Sequence, residues 1–302
     1  MRVNRCQMLT VRVGCNVHFE CEGPATAVLV INPRSEGDRI IRQESLDFGR
    51  ASKSDALVDA YGNIVHRVIL QTGVNEIRHD ALIEVSTAPD KGELFGDAPM
   101  VATLEPEFLR DLLPSRYCDS DRLFDLAQQK FGGIYDAGER VQAISDWIHN
   151  NIEYRFGSGR PDITAAQIIE RGYGVCRDFA HCMIALCRAI NIPARYVTGH
   201  LPDIGHIDPG SPMDFHAYSE VYLGGKWHVF DARYNEPRIG RIKIAHGLDA
   251  VDCAFATVFG PARLTNFEVW AYQVDPNQVR VGDPIDLSKR LDGVEEIRFT
   301  AE

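Results

Sequence analysis

The sequence has 302 residues, 45% of them apolar and 25% charged, which is typical of a globular chain that forms one large domain or two ordinary ones. Its formal net charge of −11 argues against a surface that neutralises phosphate groups, so neither nucleic acid nor an anionic membrane is an expected partner. No segment approaches the roughly 18 consecutive apolar residues that a membrane span requires. No apolar stretch of a signal peptide follows the basic residues at 1–6, so a cytoplasmic location is expected.

Residues 1–95 have the composition of β structure. Short runs rich in Val, Ile, Leu and Thr alternate with turn signals such as Glu22-Gly23-Pro24 and Tyr61-Gly62-Asn63. No helical period longer than about two turns appears among them. A small antiparallel β-sandwich domain is therefore predicted for residues 1–95. The Pro- and Gly-rich stretch 88–100 is the best candidate for a linker to a second domain at 96–302.

The pattern changes to helices after residue 100. Five helical segments are predicted, beginning near Glu105, Asp119, Glu139, Thr164 and Cys176. The fifth is apolar almost all round and should be buried, and Pro193 ends it. Strands are then expected over 194–198, 215–223, 226–230 and 266–274, with a last edge strand over 294–299. Helices packed on an antiparallel sheet, preceded by a sandwich, give an α+β fold.

Cys176 lies at the start of the fifth helix, directly after Gly172-Tyr173-Gly174-Val175. Unpaired amides and the positive end of the helix dipole at such a position favour a thiolate over a thiol. Cys176 is therefore a candidate nucleophile. The other seven cysteines have no Cys-x-x-Cys spacing and are better interpreted as small buried hydrophobic residues, and neither a metal nor a cofactor is predicted.

A thiol nucleophile needs a base and a group that orients the base. His216 begins one predicted strand, and Asp231 follows the next strand, which is joined to the first by Gly224-Gly225. A two-residue turn at these glycines would place Asp231 opposite Tyr218, within two residues of His216. The turn alone therefore predicts that imidazole and carboxylate meet at one end of a hairpin.

Four segments around these residues form a specific pattern: Gly174-Val175-Cys176-Arg177-Asp178-Phe179-Ala180, Ile192-Pro193-Ala194-Arg195-Tyr196-Val197-Thr198-Gly199, His216-Ala217-Tyr218-Ser219-Glu220-Val221-Tyr222-Leu223 and Trp227-His228-Val229-Phe230-Asp231. In these segments the sequence resembles the transglutaminase-like superfamily, a branch of the papain-like cysteine enzymes. The resemblance covers roughly residues 100–260 in the bacterial form of the family, and residues 1–95 resemble the β-rich region that often precedes it. The resemblance implies a papain-like core with Cys176 as nucleophile, His216 as general base and acid, and Asp231 as the orienting carboxylate.

The sequence departs from the family pattern in two places. Many relatives continue Asp-Pro-Thr after the aspartate, whereas this chain continues Asp231-Ala232-Arg233-Tyr234-Asn235, which bears on the wall of the substrate pocket. There is also no loop of alternating acidic residues around a glycine, so the calcium dependence of the animal enzymes is not implied.

The predicted reaction is attack of Cys176 on an amide or ester carbonyl, which gives a thioester acyl-enzyme. The Cys176 amide is one expected oxyanion donor, and Tyr154 or Trp147 is a candidate for the second. Hydrolysis of peptide or other amide bonds is the leading hypothesis, with a peptide or protein as substrate. Acyl transfer to an amine, by a transglutaminase or amide ligase, and a non-catalytic peptide-binding module are the alternatives. The sequence leaves the oligomeric state open.

Overall fold

The computed structural model describes residues 7–37, 39–90 and 97–300. Its first third holds the strands β1 (Met8–Cys21), β2 (Ala25–Leu29), β3 (Ile40–Asp47), β4 (Ser52–Val58), β5 (Ile64–Leu70) and β6 (Gly73–Ser86). The middle holds three 3-10 helices (Val101–Thr103, Pro106–Leu112, Ser120–Leu123), then α1 (Phe124–Phe131), α2 (Ala137–Asn151), β7 (Glu153–Tyr154), α3 (Ala165–Arg171), β8 (Tyr173–Gly174) and α4 (Cys176–Ala189). The last part holds β9 (Ala194–His200), β10 (His216–Leu223), β11 (Lys226–Phe230), β12 (Ile242–Gly247), β13 (Ala256–Phe259), β14 (Ala262–Gln273) and the 3-10 helix Leu287–Lys289.

The strands form three four-stranded antiparallel sheets, and β7 and β8 form a short parallel pair. Two of the sheets, ordered β14-β1-β6-β3 and β13-β2-β5-β4, share an apolar core and form a β-sandwich. The third, ordered β11-β10-β9-β12, packs against α4. The predicted α+β class is thus confirmed, with an antiparallel sheet behind the helices and a sheet-rich N-terminal region.

Two strands of the sandwich are not evident from local sequence patterns. The strand β1 continues through Gly14, where a Cβ atom would come within 2.2 Å of the His79 carbonyl oxygen and 2.5 Å of the Trp270 ring. The glycine there provides space for a crossing side chain rather than a turn. The strand β3 was not predicted, because its side chains are mostly exposed and polar and therefore lack an apolar period.

The two N-terminal sheets include strands from the far end of the chain. The strand β14 pairs with β1 along most of its length, from Val11 opposite Gln273 to Cys21 opposite Ala262, and β13 pairs with β2. The sandwich is therefore not built from residues 1–95 alone. The predicted domain boundary and part of the predicted linker fall on 91–96, outside the described residues, so the boundary stays a prediction. In the predicted strand 294–299, Val294 forms only an isolated bridge to Ile204.

The centre of the second half is α4, and every residue from Asp178 to Ala189 in it is buried. It contacts α1, α2 and α3 on one side and β9 and β10 on the other. This confirms the prediction of a helix that is buried almost all round. Within the described part of the chain, no helix combines the length and apolar character required to cross a membrane.

Gly199 in β9 allows the tight approach of β12, and we expect its replacement by alanine to destabilise the fold. A methyl group at Gly199 would lie 2.0 Å from the Ile242 carbonyl oxygen and 3.0 Å from the Cα atom of Lys243, and backbone cannot move aside as a side chain can. Overpacking of this kind costs about 1–3 kcal/mol in the free energy of unfolding. Urea denaturation measures it, with Gly133→Ala as the control because nothing lies within 4 Å of that position. Equal denaturation midpoints for the two variants would contradict the packing argument.

Candidate active site

Cys176 is the first residue of α4, as predicted. The chain reaches it from α3 through Gly172, whose φ of 75° reverses the backbone after that helix. The short β8 follows, and the Asp178 carboxylate accepts a hydrogen bond from the Val175 amide at 3.0 Å. Asp178 therefore caps the helix start that presents Cys176.

The hairpin of β10 and β11 has the predicted register. Gly224 and Gly225 form its turn, and both have a positive φ, as a type I′ turn requires. Ser219 pairs with Phe230, so Asp231 follows in register opposite Tyr218. The Asp231 oxygen Oδ2 lies 2.6 Å from His216 Nε2. The strand pairing therefore brings the imidazole and the carboxylate together, as the sequence predicted.

Cys176 and His216 line one large cavity, whose volume is about 1140 Å³. The Ala217 amide, next to His216 in β10, donates a hydrogen bond to the Cys176 sulfur. Asp231 does not line this cavity, because it lies behind His216 and its side chain is only 3% exposed. The structure thus brings the three predicted residues together, with the thiol and the imidazole facing the cavity and the carboxylate shielded from it.

The pKa of Cys176 shifts in the direction opposite to the one expected. Burial raises the pKa of the thiol to about 11, although the hydrogen bond from Ala217 and the charge of Arg233 lower it. A helix N-terminus stabilises a nearby anion by only about 0.3–1 kcal/mol at exposed sites. The cost of removing a thiolate from water is larger here, so Cys176 carries its proton near neutral pH in the free protein.

The imidazole of His216 is neutral near pH 7, because burial and the charges of Arg241 and Arg233 together lower its pKa more than the Asp231 carboxylate raises it. Burial alone would raise the pKa of Asp231, but the hydrogen bonds from His216 and Arg241 and the charge of Arg241 outweigh it and hold that pKa well below its usual range. The ionised carboxylate thus accepts the Nε2 proton of His216. The other ring nitrogen, Nδ1, is left with a lone pair that can accept a proton.

Two residues that sequence reasoning missed, Arg241 and Asp90, continue this chain of contacts. Arg241 Nη1 donates to Asp231 Oδ2 at 3.0 Å, and Arg241 Nε donates to Asp90 Oδ2 at 2.6 Å. Asp90 also accepts the Arg238 amide at 2.9 Å, which fixes the loop before β12. No local motif marks either residue. Arg241 directly precedes β12, a strand that the sequence analysis did not predict, and Asp90 lies in the predicted linker.

The two candidates for the second oxyanion donor separate. Tyr154 lines the cavity, beside Cys176 and below the guanidinium of Arg233. Trp147 does not line it, and its indole packs against Phe131 and Lys130 on α1 instead. The side chain of Trp147 faces the helical core because α2 is amphipathic, so only Tyr154 of the two candidates lines the cavity beside Cys176.

His181, His228 and the other described cysteines have structural surroundings. His181 stacks on Tyr117 with ring centroids 5.0 Å apart and accepts the Ala250 amide at Nε2. His228 Nε2 lies 3.2 Å from the Leu223 carbonyl oxygen. Among the described cysteines other than Cys176, all are buried and none forms a disulfide. The described residues hold no cluster of three or more His, Cys, Asp or Glu side chains that fits a metal ion.

We expect Arg241→Gln to lower the free energy of unfolding by about 3–5 kcal/mol at pH 7, because it leaves the buried Asp231 and the partly buried Asp90 without their shared cation. The pKa of Asp231 is lowered in the folded protein, so its ionised carboxylate stabilises the fold at pH values above the unfolded pKa of about 3.9. This stabilisation is lost as the pH falls and the carboxylate takes up a proton. The difference between wild type and variant should therefore shrink below about pH 4. Denaturant titrations at several pH values measure it.

The control for this variant is Arg263→Gln, which breaks an ion pair with Glu20 whose side chains are 74% and 51% exposed. Such a surface pair contributes at most about 1 kcal/mol. A loss in Arg241→Gln no larger than that of the control would show that the buried network does not hold the site together.

We expect the alkylation rate of Cys176 by iodoacetamide to keep rising above pH 8.5, because burial raises the pKa of the thiol to about 11 and the thiolate is the reactive form. Intact-mass kinetics from pH 5 to pH 10 measure this rate, and Cys176→Ala gives the background from the other thiols. A rate that reaches its plateau below pH 7 would instead indicate a preformed thiolate–imidazolium pair.

Comparison with known proteins places this geometry in a family. The sequence pattern of the transglutaminase-like superfamily matches residues 125–232, which include Cys176, His216 and Asp231. The crystal structure of a proposed cysteine protease from Cytophaga hutchinsonii is similar at 33% identity and a TM-score of 0.76, over 89% of this chain and 92% of that one.

Two other relatives match at lower identity. An uncharacterised protein of Mycobacterium leprae is 22% identical over 255 residues, which cover 82% of this chain and 91% of that protein. Human kyphoscoliosis peptidase is 25% identical over 138 residues, which cover 44% of this chain and only 21% of the peptidase. With its α+β core and the helix start, hairpin and register described above, the chain belongs to the transglutaminase-like superfamily.

Proposed function

We propose that the protein is a cysteine-dependent hydrolase of peptide or other amide bonds, with Cys176 as nucleophile, His216 as general base and acid, and Asp231 as the orienting carboxylate. The observation that carries the proposal is the 2.6 Å hydrogen bond between His216 Nε2 and the buried Asp231. His216 lines the same cavity as Cys176, the first residue of α4. Membership of the superfamily and the similarity to a proposed cysteine protease support the same assignment.

The proposed reaction has two steps. The Cys176 sulfur attacks the substrate carbonyl carbon while His216 Nδ1 takes the thiol proton, so no free thiolate is needed beforehand. The tetrahedral intermediate then breaks its C–N bond, His216 returns the proton to the leaving amine, and a thioester remains on Cys176. In the second step His216 takes a proton from water, which attacks the thioester, and the thiol regains that proton as the acid leaves.

The oxyanion of each tetrahedral intermediate needs hydrogen-bond donors close to the sulfur. The Cys176 amide is the first amide of α4, so no carbonyl of that helix is available to it. Tyr154, which precedes α4 in the chain, also lines the cavity, and its hydroxyl is the proposed second donor. Burial raises the pKa of Tyr154, which keeps its hydroxyl proton in place for donation.

The extent of the cavity favours a peptide or protein as substrate. It runs from Cys176 to β14, where the six consecutive residues 267–272 line it. Successive residues of a strand point to opposite faces of the sheet, so contact with all six means that the edge of β14 borders the cavity. An extended chain is the kind of ligand that fits along a strand edge. The cellular compartment stays a prediction from the sequence.

We expect a peptide or ester substrate to leave an acyl group on Cys176, and intact-mass spectrometry after exposure to a panel of both detects it. Cys176→Ala should show no adduct and should lower turnover by at least about 1000-fold. The control is Cys253→Ala, because that buried thiol lines the same cavity and should not be acylated. An adduct that persists in Cys176→Ala would refute the assignment.

The same assay separates the alternative functions. A primary amine added during turnover gives a new amide product if the protein is an acyl transferase, and gives only the acid if water is the acceptor. Equal peptide affinity in wild type and Cys176→Ala, with no turnover in either, would point to a peptide-binding module instead.

A further inference from the structure

Arg233 has an unusual position in the cavity. It follows Asp231 by two residues. Its guanidinium lies 3.7 Å from the ring centroid of Tyr154 and 4.5 Å from that of Tyr234. Arg233 lines the same cavity as Cys176 and His216, so its charge faces the space that a substrate would occupy.

Arg233 is also the one arginine of this cavity without an acceptor among the described residues. Arg177 donates to the Arg160 carbonyl oxygen at 2.7 Å and pairs with Asp178. Arg290 pairs with three carboxylates, those of Asp203, Asp208 and Asp292. The guanidinium of Arg233 has neither a hydrogen bond nor an ion pair within residues 7–37, 39–90 and 97–300, and the rings of Tyr154 and Tyr234 lie against it. The backbone carbonyl oxygen of Arg233 lies 3.0 Å from His149 Nδ1.

This arrangement suits the recognition of a carboxylate. The tyrosine rings lie against the guanidinium, which restricts its orientation, while hydrogen-bond donors remain at its edge. Two parallel N–H groups of a guanidinium match the two oxygens of a carboxylate. Besides burial, the charge of Arg233 acts on both reacting groups and tends to lower the pKa of each, while Asp214 acts on the pKa of Cys176 in the opposite direction. The guanidinium therefore lies near the bond to be broken.

The positive charge is local rather than spread over the cavity. Asp214 and Glu268 also line it, and both are exposed there without an ion pair to a described residue. A carboxylate placed against either of them would be repelled. A substrate carboxylate is therefore favoured at Arg233 alone, which would fix the direction in which an extended substrate lies in the cavity.

We propose that Arg233 binds a carboxylate of the acyl donor close to the scissile bond, so that the substrates are amides or peptides with an acidic side chain or a free C-terminal carboxylate near the cleavage site. The inference rests on the proposed function for the bond that is cleaved. The carboxylate site itself rests on the geometry of Arg233, and binding alone can test it.

The test uses blocked six-residue alanine peptides that carry one glutamate, glutamine or lysine at a single position, together with forms that end in a free acid or an amide. Their affinity is measured by titration calorimetry with Cys176→Ala, which removes the proposed nucleophile, and with Cys176→Ala combined with Arg233→Gln. Turnover of the same peptides is measured with wild type and Arg233→Gln.

We expect Cys176→Ala to bind the glutamate peptide about 10- to 100-fold more tightly than the glutamine peptide at one position, since hydrogen bonds to charged groups are the stronger ones. Arg233→Gln should remove this preference and raise KM for the glutamate peptide only. Arg233→Lys should keep part of the preference for the glutamate peptide, because it keeps the positive charge. The matched control is Arg155→Gln, because Arg155 also stacks on a tyrosine, Tyr173, but pairs with Glu153 and lies outside the cavity lining.

The outcomes are distinguishable. A preference for the free-acid form over the amide form would assign the carboxylate to the peptide terminus, and a preference at an internal position would assign it to a side chain. Equal or undetectable binding of glutamate and glutamine peptides at every position overturns the proposal. An equal fall in kcat for all peptides in Arg233→Gln also overturns it, because Arg233 would then stabilise the oxyanion. A binding preference without turnover in wild type would retain the carboxylate site and reject the hydrolase.

Discussion

The Oδ2 atom of Asp231 accepts hydrogen bonds from His216 and from Arg241, at 2.6 and 3.0 Å, and the Asp231 side chain is almost fully buried. An isolated carboxylate at this depth would cost several kcal/mol, so it is tolerated only because both partners are present. His216 is in turn oriented by that carboxylate. The loop between β11 and β12 must return to the sheet so that Arg241 reaches Asp231. The guanidinium of Arg241 also donates a hydrogen bond to Asp90. The geometry at Cys176 therefore depends on contacts that begin more than 80 residues earlier in the chain.

Much of this site could be predicted, because its parts follow from local rules. Two glycines closed a hairpin, the hairpin fixed a register, and the register placed Asp231 beside His216. An apolar run ending at proline located α4 and hence Cys176 at its first residue. Each step used residues that are near one another in sequence, where turn chemistry and periodicity apply.

What could not be predicted has long-range causes. Arg241 and Asp90 lack any pattern of their own, since their role comes from strands that meet in space. The pKa of Cys176 depends on how deeply the cavity walls bury the thiol, and a helix start alone predicts the opposite sign. The same limit explains Trp147, because the helical period shows that α2 has an apolar face but does not show which partner covers each residue on it.

The pairing of β1 with β14 has a consequence for when the site is complete during synthesis. Val11 pairs with Gln273, so the sandwich closes only after residue 273 is available. Contacts so far apart in sequence form late. When the segment from α1 to β12 has been made, Cys176 and His216 are both present, but the wall formed by residues 267–272 is still missing. During synthesis the cavity beside Cys176 is therefore completed only when β14 has been added.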